Sequence, residues 1–311
     1  MLYLHRPSPA EIQDRSIAST VFGSAKGGTQ MPDANDVKPR THEYELGHSD
    51  RELKRLSTQA RLIDPMTRQY FMNAGIVRGM RVLDVGSGAG DVAFLAAELV
   101  GDGGEVVGTD RSPAAVMAAN AGAKAKGLGN VSFRLGDPTA LAFECPFDAI
   151  VGRYVLCFSP DPVAMLRGLL SHLRAGGIVA FHEAGGLGAK SYPTSPAYDR
   201  CHEWIRETFR RVGTRPTMCL DLYSTFLDAG LPAPTMGLQA LVGGGTGDLN
   251  GIDLIADLVI TMAPVMEQVG VATIAEIDPA TLHARVHADV ERNGSVVVGR
   301  YEIGAWSRLP A

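Results

Sequence analysis

Cysteine is scarce in this sequence, and the few cysteines have none of the spacings that a metal site or a disulfide framework requires. No C-x-x-C pair is present. Isolated thiols of this kind are usually free and mostly buried. We therefore predict neither a disulfide nor a cysteine-bound metal from the four cysteines, which are Cys145, Cys157, Cys201 and Cys219.

Long hydrophobic runs are also absent. No uninterrupted apolar run approaches the ~18 residues that spanning a bilayer needs. The first residues lack the continuous apolar stretch of a signal peptide, because Arg6, Pro7 and Glu11 interrupt them. The sequence therefore predicts a chain without a transmembrane segment, and the cytoplasm is the default location.

An excess of basic residues is missing as well. The formal net charge is −5, and the pI is about 5.9. Proteins that bind nucleic acid usually carry a concentrated basic surface, so this balance argues against a nucleic-acid partner. Hydrophobic residues make up 45% and charged residues 20% of the chain, which is typical of a soluble globular protein.

The chain divides by composition and periodicity into three parts. The first is rich in Pro, Gly, Ser and Asp without clear periodicity, which predicts a flexible tail. From residue 49 apolar residues recur at three- and four-residue steps, as on one face of an amphipathic helix. Asp64 and Pro65 predict the start of a second short helix. We expect a tail at residues 1–40, a helical cap at residues 41–78 and the main domain at residues 79–311.

Short apolar runs alternate with helical patterns beyond residue 79. Alternation of this kind implies right-handed crossovers and a parallel sheet with helices on both faces. The pattern therefore predicts a three-layer α/β/α, doubly wound fold. The five predicted strands are residues 81–85, 106–110, 131–135, 147–151 and 178–181.

The C-terminal third is less regular. It contains helical patterns at residues 196–213 and 221–229 and predicted strands at residues 234–242 and 295–307. Between these strands, a helical insertion at about residues 249–292 carries enough apolar surface to line a pocket, to form a dimer contact or simply to pack as core. Its apolar residues include Leu254, Ile255, Leu258, Val259, Met262 and Met266.

The most informative stretch is VLDVGSGAGD at residues 82–91. Asp84 lies near the end of a buried strand, and a turn with Gly86, Gly88 and Gly90 then enters a helix. Glycines permit a tight turn and let a ligand approach the backbone without meeting a β-carbon. Because ligands of open α/β sheets bind at the carboxyl ends of the strands, this turn predicts a ligand site.

A nicotinamide dinucleotide is disfavoured as that ligand. Its fingerprint, G-x-G-x-x-G/A, needs a small third residue for close packing of the helix. Counted from Gly86 and Gly88, that third place falls on Asp91. An aspartate there would bring negative charge near a pyrophosphate, so an NAD oxidoreductase is the least favoured enzyme class.

Residues 80–185, and the motif VLDVGSGAG above all, resemble the core of class I S-adenosylmethionine (SAM) dependent methyltransferases. The resemblance implies a seven-stranded sheet whose last strand, at about residues 295–307, lies antiparallel beside the fifth. It also implies methyl transfer from SAM, with S-adenosylhomocysteine as the product. The group includes many methyltransferases that act on small molecules.

The resemblance also implies roles for individual residues at the cofactor. The turn formed by Gly86, Ser87, Gly88 and Gly90 would pass beneath the methionine part of SAM, and Asp84 would hold the turn or the amino group. In each case an ordinary structural role is the alternative.

Residues at the ends of the second, third and fourth predicted strands match other positions that bind the cofactor in this family. Asp110 would bind the ribose hydroxyls, since a carboxylate can accept two hydrogen bonds. Arg111 would pack against adenine, and Asp137 would accept from its amino group. Pro138 follows and has no N–H to donate. Arg153 would line the methionine and acceptor side of the site.

The candidate catalytic residues are His182, Glu183 and Tyr154. His182 and Glu183 follow the fifth predicted strand directly and would lie near the mouth of the cavity, where either can act as a general base. Tyr154 follows the fourth strand on the acceptor side. His202 is a weaker candidate, and local hydrogen bonding or core packing is the alternative for all four.

His283 and His287 have the i, i+4 spacing of a helical metal site. The sequence shows no third ligand beside them, so we predict a solvated helix face and no metal.

The acceptor is not identified by any motif. An apolar small molecule suits the apolar insertion better than a highly charged one. Two other functions stay open: a SAM-binding enzyme that catalyses a cyclisation or rearrangement, and a regulator that binds SAM without turnover.

Overall fold

The computed structural model describes residues 50–185, 188–244 and 250–311. The predicted tail at residues 1–40 and the start of the predicted cap lie outside the described residues. The elements, in chain order, are α1 (Asp50–Ala74), β1 (Arg81–Val85), α2 (Asp91–Val100), β2 (Glu105–Asp110), α3 (Pro113–Ala125), β3 (Val131–Leu135), β4 (Phe147–Arg153), α4 (Pro162–Leu169), β5 (Leu173–Gly185), β6 (Lys190–Tyr192), α5 (Pro196–Arg211), α6 (Met218–Asp228), β7 (Thr235–Gln239), β8 (Val242–Gly244), α7 (Asn250–Gln268), α8 (Ile274–Ile277), α9 (Leu282–Asn293), β9 (Val296–Val298) and β10 (Tyr301–Arg308).

A seven-stranded sheet of order β3-β2-β1-β4-β5-β10-β7 forms the centre of the fold. The strands from β3 to β5 pair in parallel, whereas β10 is antiparallel to both β5 and β7. The predicted doubly wound sheet and its antiparallel last strand are confirmed. The strand order reverses between β1 and β4, and a ligand is expected at their carboxyl ends.

Alternate residues of the strands enter two hydrophobic cores, one on each face of the sheet. Val82, on one face, packs with the end of α1, α2 and α3. Its neighbour Leu83, on the other face, packs with α4 and α6. Successive side chains of a strand point to opposite faces, so the buried runs in the sequence serve both cores and produce the three layers.

Helix α1 continues through Pro65, where the sequence analysis predicts a new helix, and that prediction is wrong. Pro65 lies on the exposed face, whereas Ile63, Met66 and Tyr70 form one buried cluster that spans it. Proline removes a backbone donor from a helix. Packing of the continuous apolar face holds both halves in one helix despite that loss.

The predicted strand at residues 295–307 is divided in two. Gly299 donates its N–H to the Leu241 carbonyl at a distance of 2.8 Å, and the chain changes sheet at this point. Strand β9 joins a small sheet of order β6-β9-β8, while β10 enters the large sheet. The sequence analysis misses this small sheet because each of its strands has only three residues.

The small sheet and the helices α5, α7, α8 and α9 enclose a third hydrophobic core. Most of the apolar residues that the sequence analysis considers for a pocket or a dimer contact, Met262 and Met266 among them, are buried there. The four cysteines are free; Cys201 and Cys219 are buried, whereas Cys157 is partly buried and Cys145 is exposed. None of the helices in the described part of the chain has the length and apolar character needed to cross a membrane.

Candidate functional site

The glycine turn after β1 has the left-handed backbone that the motif predicts. The φ angles are +64° at Gly86, +53° at Gly88 and +99° at Gly90. A β-carbon on Gly86 would lie 2.8 Å from a methyl group of Val155, and one on Gly90 would lie 2.6 Å from the Phe94 ring. At Gly88 a β-carbon would meet no described atom within 4 Å. The middle of the turn therefore faces open space where a ligand can touch the backbone.

Alanine substitutions in this turn are expected to separate binding from folding. Gly90→Ala should destabilise the protein by roughly 1–3 kcal/mol, because its methyl group meets Phe94 and Phe133. Gly88→Ala should lower the free energy of unfolding by only about 1–2 kcal/mol, because alanine is less stable than glycine in a left-handed backbone. Its methyl group, however, would occupy the open space and weaken SAM binding. Urea unfolding and calorimetry check both effects; normal SAM affinity in Gly88→Ala would show that the ligand does not contact this glycine.

Two buried polar side chains at the turn, those of Asp84 and Ser87, lack hydrogen-bond partners among the described residues. Both carboxylate oxygens of Asp84 and the hydroxyl of Ser87 accept or donate no well-formed hydrogen bond within the described part of the chain. Burial raises the pKa of Asp84 well above its usual range, although the nearby Arg153 guanidinium opposes the shift. Unpaired buried polar groups are costly. Their position at the carboxyl end of β1 suits a polar, positively charged ligand group.

Asp110 closes β2 and faces the turn. Its Oδ2 accepts from the Gly88 N–H at 2.9 Å, and its Oδ1 accepts from the Ser112 N–H at 2.8 Å. Each carboxylate oxygen has a second lone pair, so the group remains able to accept from two further donors. This geometry supports the predicted contact with a vicinal diol.

Asp137, Arg111 and Pro138 lie together after β2 and β3. Asp137 Oδ1 accepts from the Thr139 N–H at 2.9 Å, and Asp137 Oδ2 accepts from the Arg111 guanidinium. Burial alone would raise the pKa of Asp137, but hydrogen bonds from Thr139 and Arg111 lower it. The carbonyl of Pro138 lies 2.9 Å from Nε2 of His172. Arg111 is therefore held by Asp137, at the side where the adenine contact is predicted.

Arg153 ends β4 with its side chain only 6% exposed. Its Nη1 donates to Asp64 Oδ1 at 2.7 Å and to Thr67 Oγ1 at 3.1 Å, both on α1. Its charge also lowers the pKa of Asp84 and Asp91 against the larger effect of burial, which raises both. The guanidinium therefore links α1 to the carboxylates around the glycine turn.

Tyr154 has a left-handed backbone with φ +57°, which is rare for a residue with a β-carbon and is often found at functional sites. Its hydroxyl donates to Glu302 Oε2 at 2.8 Å. Glu302 is 1% exposed, and its Oε1 accepts from Arg300 Nε at 2.8 Å. Nη2 of Arg300 is buried and has no partner among the described residues. Tyr154, Arg300 and Glu302 form a polar cluster at the carboxyl end of the sheet.

His182 does not have the position of a general base. It lies inside β5, whereas the sequence predicts a position after the strand. Its side chain is fully buried. Its Nε2 is 3.0 Å from Glu302 Oε2, and its Nδ1 is 3.0 Å from Thr67 Oγ1. Burial lowers the pKa of His182 despite the opposing effect of Glu302. A neutral ring that donates through Nε2 and accepts through Nδ1 satisfies both contacts and leaves neither nitrogen for a substrate.

Glu183 also lies inside β5, on the opposite face from His182. Its Oε1 accepts from the N–H groups of Val155 and Leu156 at 2.9 and 2.7 Å, so it holds the loop that follows β4. Burial raises its pKa from 4.5 to about 7 against the lowering effect of these two N–H groups. Alternation along the strand therefore prevents His182 and Glu183 from facing one cavity together.

The ionisation of Glu183 predicts a pH dependence of stability. Because its pKa is higher in the folded chain, its favourable contribution is complete below about 4.5 and is lost as the pH rises through about 7. Glu183→Gln cannot ionise and should lack this dependence. Urea unfolding at pH 5 and pH 8 should show the wild type losing roughly 3 kcal/mol relative to the variant. Parallel changes in both proteins would contradict this assignment.

His202 lies on α5 and is also a poor candidate for a base. Burial, and then the positive charge of Arg300, lower its pKa to about 3. Proton uptake by the ring is therefore unfavourable near neutral pH, and the ring packs edge-on against Tyr198 at a centroid distance of 4.8 Å.

A small pocket lies between the polar cluster of Arg300 and Glu302 and the helices α5 and α7. Arg300 and Glu302 line its polar side. Residues from α5, α7 and β9 line its apolar side, and they include Tyr198, Leu254, Ile255 and Val297. The sequence analysis misses Arg300 and Glu302, although two charged residues in an otherwise apolar strand were a signal for a buried functional pair.

Comparison with known proteins supports a family assignment. Residues 76–210 match the family model described as a methyltransferase domain. The chain is 34% identical over 152 residues to aklanonic acid methyltransferase DauC of Streptomyces sp. (strain C5), a match that covers 49% of this chain and 67% of that protein. It is 34% identical over 130 residues to demethylmenaquinone methyltransferase of Lactococcus lactis, covering 42% and 49%. The chain thus spans about two thirds of the first relative and half of the second.

The fold is also similar to that of solved structures. The YcgJ protein from Bacillus subtilis superimposes with a TM-score of 0.50 at 19% sequence identity, covering 81% of this chain and 99% of that chain. At this identity the similarity shows the fold alone.

Proposed function

The chain belongs to the class I SAM-dependent methyltransferase family, and on that premise we propose that it transfers a methyl group from SAM to a small-molecule acceptor. The observation that carries the proposal is the glycine turn at the β1–β4 switch point, with Gly88 open to a ligand and Asp110 beside it. Two relatives named for methylation of aklanonic acid and demethylmenaquinone support the small-molecule class of acceptor.

The residues present fit SAM. Asp84 and Ser87 offer polar atoms that have no partner in the described part of the chain, at the turn where the methionine part would lie. Asp110 has free lone pairs for the ribose hydroxyls, and Asp137 with Arg111 would hold adenine. Arg153 would complete the methionine side. When bound, SAM supplies a methyl group on a sulfonium, which leaves by in-line displacement.

Positioning is the main contribution we assign to the chain's own residues. Aligned reactants in a water-poor cavity can lower a barrier by as much as ~7–11 kcal/mol. Asp110 and the turn fix the cofactor, while Glu183 holds the backbone of the loop that carries Val155 against Gly86. We do not assign a general base to His182 or Glu183, because both are engaged in the interior.

We place the acceptor at the carboxyl end of the sheet, beside Tyr154 and Arg300; the pocket between Arg300 and α7 has a volume of about 20 Å³ and holds no more than a water molecule. Tyr154 is our candidate for the residue that contacts the acceptor. Burial, and then the charge of Glu302, raise the pKa of its hydroxyl far above 10, so it acts as a hydrogen-bonding group and not as a base. Nη2 of Arg300, which has no hydrogen-bond partner among the described residues, offers its N–H groups to an oxygen atom. We propose an apolar acceptor that carries such an oxygen.

The alternatives are less favoured. A cyclisation or a purely regulatory role would use the same cofactor site, but the relatives that share this sequence are named as methyltransferases. A dimer contact through the helical insertion is not proposed, because most of the apolar residues that would form it are buried in the third hydrophobic core.

Turnover with isotopically labelled SAM tests the proposal. Incubation with a panel of apolar phenols, quinols and carboxylic acids should yield S-adenosylhomocysteine and a product heavier by one labelled methyl group, detected by mass spectrometry. Tyr154→Phe should lower turnover without weakening SAM binding. Product without label transfer would favour the cyclisation alternative, and SAM binding with no turnover across the panel would favour the regulator.

A further inference from the structure

Helices α7 and α9 present four metal-ligating side chains to one another. Asp253 and Asp257 lie one turn apart on α7, and His283 and His287 lie one turn apart on α9. Asp253 Oδ1 is 3.2 Å from His283 Nδ1 and 2.7 Å from His287 Nε2. Asp257 Oδ1 is 3.0 Å from His283 Nε2. The sequence analysis finds no third ligand because Asp253 is 30 residues from His283 along the chain.

Hydrogen bonding between neutral histidines and the two carboxylates leaves this group incomplete. Both ring nitrogens of His283 face carboxylate oxygens, but a neutral imidazole carries only one N–H. One of its two contacts therefore needs an additional positive charge, supplied either by a second proton on the ring or by a bound cation. No Lys or Arg forms an ion pair with Asp253 or Asp257 in the described part of the chain. Two carboxylates and two neutral imidazoles carry a charge of −2, which a divalent cation would neutralise.

We propose that Asp253, His283 and His287 bind a divalent transition metal of the zinc type. Their ligand atoms all lie within 4.8 Å of one another. Ligands at about 2.0–2.1 Å from a tetrahedral zinc ion are about 3.3 Å apart. The 3.2 Å between Asp253 and His283 matches this spacing, and the 2.7 Å between Asp253 and His287 would have to widen by about 0.6 Å. Imidazole and carboxylate together suit zinc, whereas magnesium and calcium prefer oxygen ligands.

Asp257 does not bind the proposed metal but orients one of its ligands. When His283 binds the metal through Nδ1, its Nε2–H donates to Asp257 Oδ1, which fixes the tautomer and the ring orientation. The four side chains are 29–43% exposed, so an ion can enter from solvent and water can take the fourth position. Such an ion would link α7 to α9 and stabilise the packing of these two helices.

Metal binding to the untagged full-length protein tests the proposal. After EDTA treatment and its removal, titration with ZnCl2 should show one site per chain by calorimetry and raise the melting temperature by several degrees, whereas MgCl2 should do neither. His287→Gln and Asp253→Asn should abolish this site. Asp257→Asn should weaken it by about 10- to 100-fold, as expected for a residue that orients a ligand.

His172→Gln is the matched control, because His172 contacts Pro138 and lies outside the cluster. Circular dichroism should show that all variants are folded. Unchanged zinc stoichiometry and affinity in both His287→Gln and Asp253→Asn would overturn the proposal, as would the absence of zinc binding to the wild type. Because the readout is binding, the result is independent of the methyl-transfer activity.

Discussion

Asp110→Ala is expected to weaken the binding of SAM and S-adenosylhomocysteine by ~2–4 kcal/mol, as the loss of charge-assisted hydrogen bonds predicts. The substitution removes the carboxylate that we propose as the acceptor for the ribose hydroxyls. It also removes the acceptor that holds the Gly88 N–H at 2.9 Å, so the turn itself loses a support. Calorimetry with both ligands measures the change in affinity.

Asp102→Ala is the control for this experiment. Asp102 is an exposed carboxylate in the loop that precedes β2, at the opposite end of the strand from Asp110. It carries the same charge and should leave affinity unchanged. A folded Asp110→Ala protein with wild-type affinity would show that Asp110 does not bind the ribose.

Glu302→Ala is expected to lower the free energy of unfolding by about 3–5 kcal/mol, the usual cost of breaking a buried ion pair. Glu302 accepts from Arg300 and Tyr154 and contacts His182, and its side chain is 2% exposed. Its removal leaves the Arg300 guanidinium without its counter-charge. Urea unfolding at pH 7 measures the loss.

A surface glutamate provides the comparison. Glu98 pairs with Arg68 and is 61% exposed, so Glu98→Ala should cost no more than about 1 kcal/mol. Glu302→Gln keeps the shape but not the charge and should fall between the two. An equal loss of unfolding free energy in Glu302→Ala and Glu98→Ala would contradict the role assigned to the buried ion pair of Glu302 with Arg300.

The ionisation of Glu302 also predicts that the protein loses stability in acid. Burial alone would raise the pKa of Glu302, but Arg300 and His182 outweigh it and lower the pKa from 4.5 to about 2. The stabilisation by Glu302 is therefore complete above about pH 4.5 and is lost as the pH falls toward 2. Glu302→Ala should accordingly differ less from the wild type at pH 2 than at pH 7.

Local patterns in the sequence predicted the sheet and the cofactor turn. Each strand of the parallel core is a short apolar run, and the φ angles at Gly86, Gly88 and Gly90 follow from the residues themselves. Boundaries were harder to predict. Buried His182 and Glu183 extend β5 because groups elsewhere in the chain form hydrogen bonds with their side chains.

Contacts between distant residues could not be predicted in this way. His182 meets Thr67 and Glu302, which are 115 and 120 residues away along the chain. One interacts from α1 and the other from β10, so no spacing in the sequence joins them. The cluster of Asp253 with His283 and His287 is a second example, because the packing of α7 against α9 creates it.

Calorimetric titration of the purified protein with SAM, S-adenosylhomocysteine, NADH and NADPH tests the central claim most directly. The account predicts micromolar binding of SAM and S-adenosylhomocysteine and no binding of either nicotinamide cofactor. Selective binding of NADH or NADPH would contradict it, as would a failure of all four ligands to bind.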